Sequence, residues 1–240
     1  MPVTDLPLLP PPSEVKRILV RTTLPLSPLP PNHLRQPITT PRLLIRPWQQ
    51  SDLHQIRILR TQPEVMKVTR QNRIDLSLEE TQAWLDRFLS PNDGQTHNFA
   101  IVLRETGELI GTGGVHSFKG EFGWPEIGYM FREEYWRKGF ATEFLAGYMA
   151  AWKGLPRGVV EVEVEVDPRT TRTGKPGEEV EEQIIAITAD FNEGSQKVLG
   201  KCGWEHFITW PGDDALKLPT FRWFPTRKTE EKGMKGVKEA

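Results

Sequence analysis

The chain has 240 residues, with 31 Lys and Arg against 32 Asp and Glu and a formal net charge of −1, so no global basic field draws it to nucleic acid or to an anionic membrane. Its 37% hydrophobic and 26% charged content is that of an ordinary globular domain with appendages. One cysteine, Cys202, excludes an internal disulfide framework and a cysteine-rich metal site, and no apolar run approaches the ~18 residues that span a bilayer. The expected compartment is therefore the cytoplasm, with the nucleus second, and no metal is expected.

Residues 1–38 form a proline-rich arm, interrupted at Pro10, Pro11, Pro12, Pro25, Pro28, Pro30 and Pro31. Each ring removes a backbone donor and forbids a helix interior. The arm is expected to be extended or disordered, either a linker or a lid that docks through the apolar segment Val15–Val20.

Order is expected over 39–227. Thr39–Pro47 alternates like a strand, and Ser51 is placed as the cap of a helix carrying Leu53, Ile56, Ile58 and Leu59. Ser77-x-x-Glu80 reads as a capping box opening a second helix with Trp84, Leu85, Phe88 and Leu89. Asn98–Arg104 and Glu108–Ser117 form a hairpin around Glu105-Thr106-Gly107, and Trp124–Phe131 adds a third strand. Phe140, Phe144, Leu145, Tyr148, Met149 and Trp152 then recur at helical spacing as far as Pro156 and Gly158.

Val160, Val162, Val164 and Val166 alternate with Glu161, Glu163, Glu165 and Asp167, giving a strand with one apolar and one acidic face. The acidic face is either a solvated outer surface or an attraction for a cationic substrate. A loop over Pro168–Glu182 leads to a strand at Gln183–Thr188, a helix from Asn192 to about Lys201, and strands near Trp204–Trp210 and Leu218–Pro225. Residues 228–240 are a charged tail.

The chemistry is concentrated where the strand Glu126–Phe131 runs through a small-residue turn into the long helix. Free amides at the positive end of a helix dipole bind phosphate oxygens. The turn has neither the spacing of a nucleotide P-loop nor the three glycines of a dinucleotide fingerprint.

Glu126-Ile127-Gly128-Tyr129, Tyr135-Trp136 and Arg137-Lys138-Gly139-Phe140-Ala141-Thr142-Glu143 resemble motif A of the GCN5-related N-acetyltransferase (GNAT) superfamily, in particular its RimJ/RimL-like ribosomal-protein branch. Three further segments resemble that family's opening strand, third strand and asparagine helix. They are Thr40–Trp48 with Asp52, Leu109–Gly114, and Asn192-x-x-Ser195-x-x-Val198-Leu199-x-Lys201-Cys202-Gly203-Trp204. The resemblance covers about residues 39–226. Arg137 stands where the branch has a glycine, which is tolerable in helical dihedrals with the side chain outward, and Trp136 stands where the superfamily has glutamine or arginine. A hairpin-like insertion at about 160–182 precedes Gln183–Thr188, the counterpart of the family's fifth strand.

The resemblance implies an α+β fold: a mixed, mostly antiparallel central sheet flanked by helices and splayed between its strands 4 and 5. It implies acetyl-CoA as co-substrate, with the backbone of Tyr129, Met130 and Phe131 along the pantetheine arm. The turn Arg137, Lys138, Gly139, Phe140, Ala141 and Thr142 would hold the pyrophosphate. Asn192 would hydrogen-bond the pantetheine amides while capping its helix, and Ser195 would reach the leaving thiolate.

The acceptor would be a primary amine on a peptide N-terminus, a lysine, an amino acid or a small molecule, attacking directly in a ternary complex. Glu126 is the base, directly or through water, or else an ion-pair partner at the sheet edge. His116 is a rival base. Ser195 protonates the leaving thiolate or simply caps its helix. Cys202 belongs to the core, and the chain is a monomer or a homodimer. The alternative is a catalytically idle acyl-CoA-binding module of the same fold.

Overall fold

A computed structural model of the chain describes residues 17–165, 175–211 and 216–225. Pro10, Pro11, Pro12 and Val15 of the arm, Val166, Asp167, residues 168–174 of the expected loop and the charged tail lie outside the described residues. The elements are β1 (Arg17–Pro25), β2 (Ile38–Thr39), β3 (Leu43–Arg46), α1 (Leu53–Arg60), α2 (Pro63–Met66), α3 (Leu78–Asp86), β4 (His97–Leu103), β5 (Leu109–Ser117) and β6 (Glu126–Phe131). They continue with α4 (Phe140–Lys153), β7 (Arg157–Glu165), β8 (Ile184–Ile187), α5 (Glu193–Lys201), β9 (Glu205–Pro211) and β10 (Lys217–Trp223).

Eight strands form one sheet in the order β2-β3-β4-β5-β6-β8-β10-β9. Every pairing in it is antiparallel except β6 with β8, which run parallel and meet only at Glu126↔Ile185. The two halves of the sheet therefore part below that point. This is the splayed α+β architecture expected from the sequence.

Alternation along β3–β6 sends one set of apolar side chains to each face. On one face Leu43, Phe99, Ile127, Phe144, Tyr148 and Trp152 pack α4 and α5 into the main core. On the other, Trp48, Ile56, Leu59, Phe88 and Val102 pack α1 and α3. The helix entries differ in detail from expectation. Ser51 is exposed, and the reciprocal box is made by Gln49 and the buried Asp52, whose carboxylate also holds Arg46 at 2.6 and 2.8 Å. Ser77 Oγ accepts from the Glu80 amide, but Glu80 reaches back to the Leu76 amide and to Arg73.

The larger difference is in the arm. Its residues Arg17–Pro25 are a full strand, paired antiparallel with β7 from Arg17↔Glu165 to Pro25↔Arg157. Within the described residues the 160–182 stretch does not close on itself as a hairpin; β7 takes β1 as its partner. The physical reason is shared alternation: Ile18, Val20, Leu24, Val162 and Val164 all turn inward onto Phe122, Trp124, Ile185 and Phe207. On the outer face Arg21 lies opposite Glu161, so part of the acidic face meets an arginine across the ribbon.

Deleting residues 1–25 is expected to strip Ile18, Val20 and Leu24, which are at most 9% exposed, from the cluster and so uncover Val162, Val164 and Trp124. At about 2 kcal/mol for each buried aliphatic side chain, the loss is on the order of 5 kcal/mol. A thermal melt should show a large fall in Tm or no cooperative transition, and an unchanged Tm would refute the role of the ribbon.

Candidate active site

The parting of β6 from β8 makes a wedge with Glu126 near its apex, closed by the Ile185 amide donating to the Pro125 carbonyl at 2.8 Å. Backbone direction along β6 follows from its ladder with β5. The Arg132 amide donates to the Ile110 carbonyl, so alternation turns the backbone groups of Gly128 and Met130 toward β5 and those of Tyr129 and Phe131 into the wedge. Met130 instead packs its side chain against the α1/α3 cluster. The Phe131 carbonyl already accepts from Trp136 Nε1 at 2.7 Å, leaving one lone pair for a ligand.

From β6 the chain passes through a 3-10 turn, Glu133–Tyr135, to α4. Arg137 has φ +59°, so its dihedrals are left-handed and not the helical ones expected. A side chain there costs about 1–2 kcal/mol, which is the reason a glycine suits the position. Gly139, the N-cap of α4, also has a positive φ, of 80°. Among the described residues, the amides from Arg137 to Thr142 have no acceptor. They stand at the positive end of a 14-residue helix, where an anion is favoured.

This turn is tied to the start of β3. Arg42 donates to the Lys138 carbonyl at 3.0 Å and to Glu143 at 2.6 Å, and its guanidinium lies 4.3 Å from the centre of the Phe140 ring. Burial opposes ionisation of Glu143, but hydrogen bonds from Thr40 and from the Arg42 amide and guanidinium outweigh it and hold the carboxyl below its ordinary range. Lys138 Nζ sits over Tyr135. Cys202 packs against the main core with its thiol near the Thr142 carbonyl, and burial pushes its pKa up. It is the core residue the sequence implied, not a reactive thiol.

At α5, Asn192 is the cap: its Oδ1 accepts the Ser195 amide at 3.2 Å. Ser195 is therefore not the capping side chain, and its hydroxyl donates to Tyr129 at 2.8 Å. Burial drives the Tyr129 phenol well above its ordinary range, against the opposing effect of that hydrogen bond, so it remains a neutral hydroxyl at physiological pH. The sequence marks Tyr129 only for its backbone; its side chain shares the α4-facing parity of Ile127 and Phe131 and so meets Ser195.

Glu126 is 8% exposed. Its Oε1 lies 3.4 Å from His116 Nε2, and its Oε2 accepts the Glu121 amide at 3.4 Å. Burial works against the charged form, but His116, the Glu121 amide and Arg70 together hold the carboxyl below its usual value. A Cβ at Gly128 would come within 3.2 Å of the His116 ring, so His116, Gly128 and Glu126 share one face of β6. Tyr129, against Phe144 and Ser195, lies on the other. Proton acceptor and proton donor candidates thus flank the strand from opposite sides.

Of the remaining histidines, His33 and His54 are exposed, and His97 and His206 are bonded into the fold. His97 bonds Tyr148 at 2.8 Å, and burial, helped by Arg35, pushes its pKa down to about 3. Among the described residues no three His, Cys, Asp or Glu side chains converge as a metal site.

The fold recurs in known proteins. Over 166 residues the chain is 28% identical to an uncharacterised N-acetyltransferase, p20, of Bacillus licheniformis, covering 67% of this chain and 89% of that protein. Among solved structures, a GNAT-family acetyltransferase from Bacillus anthracis aligns with a TM-score of 0.58 at 20% identity, over 80% of this chain and all of that one. RimL, a ribosomal L7/L12 alpha-N-protein acetyltransferase solved with coenzyme A, aligns at 0.59 and 13% identity, over 79% and 98%. The spermidine N-acetyltransferase of Vibrio cholerae, solved with CoA and spermine, aligns at 0.56 and 13%, over 78% and 97%. Residues 42–205 match the acetyltransferase (GNAT) domain, and with that match spanning the splayed sheet, the free-amide turn and the asparagine-capped helix, the chain belongs to the GNAT family.

Proposed function

We propose that the chain is an acetyl-CoA-dependent N-acetyltransferase of the RimJ/RimL-like branch, moving an acetyl group to a primary amine by direct attack in a ternary complex. The observation that carries this reading is a pair of backbone surfaces, the wedge side of Tyr129 and Phe131, where only the Phe131 carbonyl has a partner among the described residues, and the acceptor-free amides from Arg137 to Thr142. Tyr129 and Phe131 offer a strand edge to the pantetheine amides. The amides of Arg137, Lys138, Gly139, Phe140, Ala141 and Thr142 receive the pyrophosphate, with the Arg137 and Lys138 cations beside it. Asn192 Nδ2, without an acceptor among the described residues, is free to donate to a pantetheine carbonyl.

Acetyl-CoA supplies an activated thioester. An alkyl ammonium has no lone pair and must lose a proton before attack; the Glu126–His116 pair is where the base is sought. The developing negative charge on the thioester oxygen is stabilised by an outward β6 amide. Ser195, backed by the neutral Tyr129 hydroxyl, donates to the leaving thiolate on the opposite face. The catalytic unit takes in the β1–β7 ribbon together with residues 39–227. No helix among the described residues is long and apolar enough to cross a membrane.

Calorimetric titration with acetyl-CoA, followed by a thiol-release assay with peptide, lysine, amino-acid and polyamine acceptors, tests the reading. Micromolar-range binding and thiol release with one acceptor class are expected. Binding without release from any of them would leave an idle acyl-CoA module. No binding by folded protein would end the proposal.

A further inference from the structure

The carboxylate nominated as base is badly placed to meet an amine. Its side chain is 11% exposed and lies behind His116, whose side chain is 32% exposed. The loop between β5 and β6 folds over it: the Gly120 amide donates to the Trp124 carbonyl and the Glu121 amide to Glu126 itself. What stands in front is an imidazole.

His116 owes its position to a defect in the ladder. The β5–β6 register slips between Val115 and Ser117, so His116 has no residue across from it. A bulge of this kind re-aims a side chain, here toward Gly128 and Glu126. The absence of a Cβ at Gly128 makes room for the ring, which would otherwise meet it at 3.2 Å. Separation from Glu126 is 3.4 Å, longer than a formed hydrogen bond, as is common before substrate tightens a site.

We propose that His116 is the catalytic residue that takes the amine's proton, and that Glu126 is a positioning residue that holds the imidazole with Nε2–H toward Oε1 and Nδ1 bare toward the acceptor. The inference rests on the N-acetyltransferase reading. A carboxylate on one ring nitrogen fixes the tautomer and stabilises the imidazolium once it forms. One ammonium N–H bond breaks and its proton passes to Nδ1, later released to solvent; the freed lone pair forms the C–N bond. As the C–S bond breaks the sulphur takes a proton from Ser195 and leaves as a thiol; the nitrogen gives its second proton to solvent, and Ser195 regains one from the same source. Besides Glu126 on β6, the charged groups beside this pair are Glu121 in the β5–β6 loop, whose amide reaches Glu126, and Arg70 after α2, which pairs with Glu121 at 2.5 Å.

The test compares His116→Gln, His116→Ala, Glu126→Gln and Glu126→Asp. His116→Gln is expected to lower kcat about 100-fold, with acetyl-CoA affinity unchanged as the check on folding. Added imidazole should restore part of the activity of His116→Ala. Glu126→Gln should lower kcat less than His116→Gln does, with the KM for acetyl-CoA unchanged, and Glu126→Asp should recover part of that loss. Turnover that survives His116→Gln, or a loss in Glu126→Gln that equals or exceeds that of His116→Gln, overturns this assignment alone; absence of turnover in the parent overturns the enzyme reading with it.

Discussion

Gly139→Glu is expected to abolish acetyl-CoA binding while the sheet stays folded. The position has φ +80° and caps the helix whose first amides lack acceptors, so a side chain there adds backbone strain of about 1–2 kcal/mol. That strain is present with and without ligand and lowers stability more than affinity. The charge acts on affinity. A carboxylate about 5 Å from a phosphate oxygen, at an effective dielectric of 20, is repelled by about 3 kcal/mol for each unit of charge, which is more than 100-fold in Kd. Arg42, 3.4 Å from the Cβ position, is already committed to Glu143 and the Lys138 carbonyl and offsets only part of this. Calorimetry on Gly139→Ala isolates the strain. Equal affinity in the parent and in Gly139→Glu would mean that the pyrophosphate lies elsewhere.

Asp75→Ala is expected to destabilise the domain by about 3–5 kcal/mol, the cost of leaving one member of a buried ion pair without its partner. The side chains of Arg60 and Asp75 are 3% and 0% exposed, and the carboxylate takes Arg60 at 2.6 and 2.7 Å with Gln71 and Thr81 at 2.8 Å. Arg60 also lies over the Trp84 ring. A double variant, Arg60→Met with Asp75→Leu, should lose far less in a denaturant melt. Equal losses in the single and double variants would refute the account.

The pH sign follows from the same contacts. Burial alone would raise the Asp75 pKa, but the hydrogen bonds from Arg60, Gln71 and Thr81 prevail and lower it. Its stabilising contribution is therefore complete above the ordinary aspartate range and is lost as pH falls through the depressed folded-state value. The acid limb of the parent should be steeper than that of the double variant.

Periodicity made α1, α3, α4 and the β4–β6 meander legible, because a repeat of two or of 3.6 states which side chains share a face. The turn at 137–142 and the asparagine helix were legible because their residue types answer to a ligand's chemistry. Partners across long sequence gaps were not. Ile18, Val20 and Leu24 alternate as plainly as Val162 and Val164, yet alternation names a face and not the strand that lies beside it. Arg42 with Glu143, and Tyr129 with Ser195, meet only once the sheet has brought β3, β6 and two helices together. Arg137 was misread for a local reason: a non-glycine residue argues for helical dihedrals, and here the turn imposes a left-handed one. The bulge at His116 left no mark in the sequence, since the ladder that slips is a property of two strands.

The ribbon also sets an order of events during synthesis. β1 leaves the ribosome first, but its hydrogen-bonding partner β7 lies roughly 140 residues later. At translation rates of about 5–20 residues per second, the nascent β1 waits on the order of ten seconds with its apolar face uncovered. The strand that begins the described chain is thus among the last to find its place, and the growing polypeptide offers chaperones an open β-edge for that whole interval.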